Sequence, residues 1–158
     1  MALTIDLRGT VTLVTGVTSG IGAGIAEVFA RTGSAVVGCG RRSENSDEAT
    51  AFLELGETHG VQNHYVSCDV SDEEGPRLLV AETVKRFGRI DYVVSNAGKN
   101  LFTGVDGSSR EDWDTCVNLN LRSHWLLAQS AGPHLRAAST DRRPADAAGP
   151  VFMVNTSN

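Results

Sequence analysis

The run Thr15-Gly16-Val17-Thr18-Ser19-Gly20-Ile21-Gly22 follows the apolar segment Val11-Thr12-Leu13-Val14 and opens an amphipathic stretch. Glycines at this spacing, between a strand and a helix, let the backbone approach a diphosphate with no Cβ in the way. A helix beginning near Ile21 adds unpaired N–H groups and the positive end of its dipole. Thr18 and Ser19 add hydroxyl donors. Such glycines can also serve close helix-on-strand packing alone. The strand–turn–helix context favours the other use, the holding of a dinucleotide pyrophosphate.

The second apolar segment, Ala35-Val36-Val37-Gly38-Cys39-Gly40, ends in Arg41-Arg42. Dinucleotide-binding folds commonly place an acidic residue at the end of the second strand, where it accepts bonds from the adenosine ribose hydroxyls. Here that place is Gly40, and the first acidic residue beyond it is Glu44. A carboxylate there repels a 2′-phosphate, whereas a guanidinium bonds it through two parallel N–H groups. At an exposed site the preference amounts to about 1–3 kcal/mol, roughly ten- to a hundredfold. Arg41 and Arg42 therefore favour NADP(H) over NAD(H), the alternative being that they are solvated surface charges.

These residues need a frame. Five short apolar segments rich in β-branched residues read as parallel strands covered on both faces: Val11–Val14, Ala35–Val37, His64–Val66, Tyr92–Val94 and Val151–Val154. Helices fall between them. Ile21, Ile25, Val28 and Phe29 form one apolar stripe of a helix ending near Gly33. A second helix spans about 47–58. Ser71-Asp72-Glu73-Glu74 resembles a capping box opening a third, which ends near Phe87-Gly88. Ser109-Arg110-Glu111-Asp112 is a weaker version opening a fourth. Residues 132–150 read as a long loop that frays the end of that helix. Alternating strand and helix predicts an α/β fold, a Rossmann-type doubly wound parallel sheet with order 3-2-1-4-5.

The 158 residues suit one domain, and a net charge of −5 with only Lys85 and Lys99 as lysines excludes a nucleic-acid footprint. No apolar run reaches membrane-spanning length, and Met1–Arg8 lacks the apolar core of a signal peptide. A cytoplasmic location is expected. Cys39, Cys68 and Cys116 are widely spaced and read as reduced, mostly buried thiols. His59, His64, His124 and His134 have no metal-ligand spacing; only His124 falls where it could approach the site, and no metal is expected.

Taken together, these motifs resemble the N-terminal portion of the short-chain dehydrogenase/reductase family. Residues 15–22 match its TGxxxGIG turn; Cys68-Asp69-Val70 resembles the segment after its third strand; Ser95-Asn96-Ala97-Gly98 matches its NNAG motif with Ser95 in place of the first Asn. Trp113-Asp114 followed by Asn120-Leu121 matches its fourth helix, and Val154-Asn155-Thr156-Ser157 resembles the end of its fifth strand. The resemblance implies that Asp69 bonds the adenine ring with Val70 packed beside it. It implies cofactor contacts from Asn96, Ala97, Gly98 and Thr156. It also assigns Asn120, rather than Asn118, as the active-site Asn whose backbone carbonyl holds a water in a proton relay.

Family members also use a Ser, a Tyr and a Lys four residues after that Tyr. The tyrosines here are Tyr65 and Tyr92, followed at that spacing by Asp69 and Asn96. Ser157 is too early to be the family's Ser. The expectation is thus a truncated domain over residues 1–158 that holds the cofactor half of an alcohol/carbonyl oxidoreductase, inactive alone and homo-oligomeric in complete form. The alternative is a non-catalytic nucleotide-binding module completed by a partner chain. A methyltransferase of similar fold is disfavoured, because its cofactor would want an acidic residue where Arg41 follows Gly40.

Overall fold

Every residue of β1 (Val11–Thr15) is buried, and the strand runs through the middle of a five-stranded parallel sheet. The structure is a computed structural model and describes residues 5–100, 104–140 and 149–155. Beside β1 lie β2 (Ala35–Gly40) and β4 (Tyr92–Ser95), with β3 (Asn63–Ser67) and β5 (Val151–Val154) outside them. The order is β3-β2-β1-β4-β5, as the alternation predicts. Leu13 sits between Val37 and Val93, so the central register puts branched side chains in rows. The buried carboxylate of Asp91, at the entry to β4, accepts the Val11 N–H at 2.8 Å and two N–H groups of Arg89 at 2.8 and 2.9 Å.

Each face of the sheet has its own apolar core. Val14, Val36, Phe52 and Tyr65 centre one, under α1 (Gly20–Arg31) and α2 (Asp47–His59). Leu13, Val37, Leu79 and Leu127 centre the other, under α3 (Glu74–Phe87) and α6 (Ser123–Thr140). A short α4 (Gly104–Gly107) precedes α5 (Arg110–Val117). Five residues of π-helix, Asn118–Arg122, join α5 to α6.

Three expectations about the helices are corrected. Ile25 and Phe29 pack against the core as expected, but Ile21 and Val28 are half exposed, and the residues α1 buries fully are the small Gly22, Ala26 and Ala30, where the helix lies close on the sheet. The Ser71 hydroxyl does not cap α3; it donates to Asp69 Oδ1 at 2.7 Å, and the same oxygen accepts the Ser71 N–H at 2.9 Å. The full capping box is the weaker-looking one, where Ser109 Oγ accepts the Asp112 N–H and Asp112 accepts the Ser109 N–H. Finally, α6 continues to Thr140 through Pro133, which lacks the N–H that would reach back to Gln129, so residues 132–140 of the expected loop are helical.

Among the described residues β5 is an edge strand, with Val151, Met153 and Val154 exposed. Trp113, Leu121 and Trp125 are 69%, 66% and 59% exposed along α5 and its continuation.

Candidate functional site

The chain moves outward from β1 to β3 and then returns to the other side of β1 to place β4 and β5. Such a reversal leaves a crevice at the carboxyl ends of the strands, the place where open α/β sheets bind ligands. Here it is a cleft of about 700 Å³.

The glycine turn forms one wall. Gly16 has φ of +76°, a conformation glycine adopts without strain. At Gly22 a Cβ would overlap the Gly16 carbonyl oxygen and stand 2.5 Å from Asn96 Nδ2. Gly16, Thr18, Ser19, Gly20, Ile21 and Gly22 all line the cleft. Ser19 precedes α1 in an extended conformation and makes no side-chain cap bond, so the first N–H groups of the helix are not consumed by a cap.

Asn96-Ala97-Gly98 forms the adjoining wall, and hydrogen bonds tie it to the turn. Thr15 Oγ1 accepts the N–H groups of Asn96 and Ala97, both at 2.9 Å. Asn96 Nδ2 donates to the Thr15 carbonyl at 3.0 Å, and Asn96 Oδ1 accepts Asn155 Nδ2 at 2.8 Å. The two motifs are therefore one structural unit.

Asp69 and Val70 line the far end with Gly40 and Arg41. Arg41 and Arg42 separate: Arg41 lines the cleft, whereas Arg42 Nε lies 3.4 Å from Glu48 Oε1 and its carbonyl accepts the Tyr65 hydroxyl at 3.1 Å. Thr156 lies outside the described residues.

Asn120 borders a smaller cavity of about 240 Å³ that shares Ala97, Gly98 and Lys99 with the cleft. Its side chain is clamped to the Lys99 backbone, accepting the N–H at 2.9 Å and donating to the carbonyl at 2.8 Å. Asn118 lines the main cleft instead. The π-turn sets this difference: the Ser123 N–H reaches back five residues to the Asn118 carbonyl, which changes the facing of the residues between.

Two neighbours of Asn120 have no role assigned from the sequence, although His124 is the one histidine expected near the site. His124 borders the same cavity, and its Nδ1 lies 2.6 Å from Ser95 Oγ. Burial lowers the pKa of this imidazole, against the Asn120 backbone carbonyl, which favours the protonated form. The i, i+4 spacing from Asn120 was the available signal. Asn155, which also lines the cavity, had no signal beyond its place after a strand. Cys39 and Cys68 are free and both line the cleft; their mutual hydrogen bond, then burial, push the Cys39 thiol up, so it stays protonated. Among the described residues no group of three or more His, Cys, Asp or Glu side chains could hold a metal, and no helix is long and apolar enough to cross a membrane.

The donor set fits a dinucleotide: a Cβ-free turn, a helix start with unspent N–H groups, and a cation and a carboxylate at the far end. The short chain dehydrogenase family model matches residues 10–142. The chain is similar to the Short-chain dehydrogenase/reductase SDRA of Arabidopsis thaliana, 40% identical over 135 residues, covering 85% of this chain and 52% of that protein. It is similar also to the L-fucose dehydrogenase of Bos taurus, 38% identical over 137 residues, covering 86% and 48%. The chain thus spans about half the length of these curated relatives. Among solved structures, an NADH-dependent reductase complexed with NAD matches with a TM-score of 0.75 at 29% identity, covering 84% of this chain and 55% of that one. A blue fluorescent protein from a metagenomic library, in complex with NADPH, matches with a TM-score of 0.76 at 27% identity, covering 81% and 52%. The chain belongs to the short-chain dehydrogenase family.

Proposed function

We propose that residues 1–158 are the dinucleotide-binding part of an NADP(H)-dependent oxidoreductase that moves hydride between a nicotinamide and a small alcohol/carbonyl pair. The observation that carries the cofactor choice is Arg41 in the cleft lining beside a bare Gly40, with no carboxylate at the end of β2. A 2′-phosphate meets a guanidinium there, and a ribose 2′-hydroxyl meets no acceptor of the usual kind.

When bound, the nicotinamide supplies or takes the hydride. The chain's own residues hold and orient the dinucleotide. The glycine turn and the start of α1 take the pyrophosphate, Asp69 and Val70 the adenine, and Asn96, Ala97 and Gly98 the inner ribose side, with Thr156 the corresponding residue after β5. Asn120 is the catalytic residue this segment contributes, its side chain clamped by Lys99 so that the π-turn backbone is fixed beside the smaller cavity. Tyr65 and Tyr92 are buried in the sheet, so neither serves as the proton donor, and the segment alone is expected to bind cofactor without turnover. The exposed Trp113, Leu121 and Trp125 support a homo-oligomeric complete form, and a cytoplasmic location is part of the same reading.

One observation favours a second reading, a nucleotide-binding module without catalysis: neither tyrosine has a Lys four residues on. Titrating the chain with NADPH while following nicotinamide fluorescence tests the binding, and a panel of carbonyls, which NADPH would reduce, then tests turnover. Enhanced fluorescence with no loss of nicotinamide absorbance is expected. No fluorescence response contradicts binding, and substrate-dependent loss of absorbance contradicts inactivity.

A further inference from the structure

Gly40 is bare for a reason that lies on the neighbouring strand. A Cβ placed on Gly40 would stand 2.8 Å from the Tyr65 hydroxyl oxygen, 3.0 Å from Thr18 Cγ2 and 3.3 Å from Thr18 Oγ1. Tyr65 is not free to retreat. It is 3% exposed, its ring packs against Phe52 at a centroid distance of 6.2 Å, and its hydroxyl donates to the Arg42 carbonyl at 3.1 Å. Two residues back on the same face of β2, a Cβ at Gly38 would overlap Val17 and meet Phe52 Cζ at 2.8 Å. The aromatic layer between β2 and α2 thus fills the space that side chains at 38 and 40 would need.

We propose that Tyr65 is a cofactor-specificity residue: its hydroxyl occupies the space a carboxylate at the end of β2 would need, and so excludes the ribose-binding acid sterically. This rests on the dinucleotide reading of the cleft and deepens it. Arg41 attracts the 2′-phosphate; Tyr65 and Thr18 prevent the residue that would repel it. Burial pushes the Tyr65 phenol up to about 12, so it stays a hydrogen-bond donor to the Arg42 carbonyl.

The consequence is an epistatic pair. Installing the acid by Gly40→Asp should weaken NADP+ binding without improving NAD+ binding. Gly40→Asp/Tyr65→Phe removes the obstructing oxygen, and should bind NAD+ at least about tenfold more tightly than Gly40→Asp alone, the lower end expected of ribose recognition by a charged acceptor. Binding is measured by calorimetric titration of the chain with NAD+ and with NADP+. Gly40→Asp alone gaining as much NAD+ affinity as the double variant would overturn the proposal. Should Gly40→Asp fail to fold, Gly40→Ala and Gly40→Ala/Tyr65→Phe decide it by thermal unfolding. A Tm lowered by the alanine and restored by the second change supports the steric contact, and additive losses overturn it. A wild-type chain that binds neither dinucleotide, while the Gly40–Tyr65 coupling in Tm persists, overturns the dinucleotide reading and not the packing.

Discussion

Thr15 Oγ1 accepts two backbone N–H groups from the neighbouring cleft segment, those of Asn96 and Ala97, each at 2.9 Å. Thr15 is fully buried, so both donors depend on it. Thr15→Val keeps the shape and removes the acceptor. Leaving a buried donor unsatisfied costs about 1–3 kcal/mol, and the part-buried Ala97 N–H costs less, so the variant should lose roughly 1–4 kcal/mol in urea unfolding. Thr15→Ser retains the oxygen and should lose less than half as much. Equal losses in the two variants would mean that the methyl, not the acceptor, holds the walls together.

Gly22→Ala puts a methyl against the Gly16 carbonyl and the Asn96 amide. Both are backbone or network atoms that cannot swing aside, so the turn must open. Overpacking of this kind costs about 1–3 kcal/mol. Dinucleotide affinity should fall by about thirtyfold, the binding equivalent of the middle of that range. Unchanged affinity would show that the ligand does not use this turn.

The two arginines should behave differently. Arg41→Ala is expected to weaken NADP+ binding by about ten- to a hundredfold and to leave NAD+ nearly unchanged. Arg42 faces Glu48 on the surface, and such pairs contribute about 0–1 kcal/mol. Arg42→Ala should therefore shift NADP+ affinity by less than about fivefold. Equal effects from the two substitutions, measured by titration at fixed ionic strength, would contradict the assignment of the phosphate to Arg41.

Acid should destabilise the fold through its imidazoles. His124 has a lowered pKa, from burial set against the Asn120 carbonyl, and His64 is lowered by burial and then by Arg86. Between the lowered folded value and the unfolded value of about 6.5, the unfolded chain binds more protons. Stability is therefore complete above that value and falls as pH drops beneath it. Tm should decline below about pH 6.5, and His124→Gln, which cannot charge, should make that decline shallower. An identical decline in the variant would remove His124 from the account.

The strand order was readable because strands buried on both faces announce themselves as short β-branched runs, and the glycine turn because its strand–turn–helix context favours one of the uses its spacing allows. The helix faces were harder. Ile21 and Val28 look like core residues in a periodic pattern, but the close approach of α1 to the sheet centres its inner face on Gly22, Ala26 and Ala30, with Ile25 and Phe29 beside them. Ser71 and Ser109 carry similar capping patterns, and only the nearby Asp69 carboxylate, which takes the Ser71 hydroxyl, distinguishes them. Nothing local announces the π-turn that separates Asn118 from Asn120, nor the meeting of Ser95 with His124 across 29 positions. The emptiness at Gly40 was legible, but its cause was not: Tyr65 comes beside it only through the β2–β3 register.

The most direct test is a side-by-side calorimetric titration of this chain with NADP+ and NAD+ in one buffer of fixed ionic strength. The structure predicts saturable one-to-one binding of NADP+, tighter than NAD+ by at least about tenfold. Tighter binding of NAD+, or no binding of either, would contradict it.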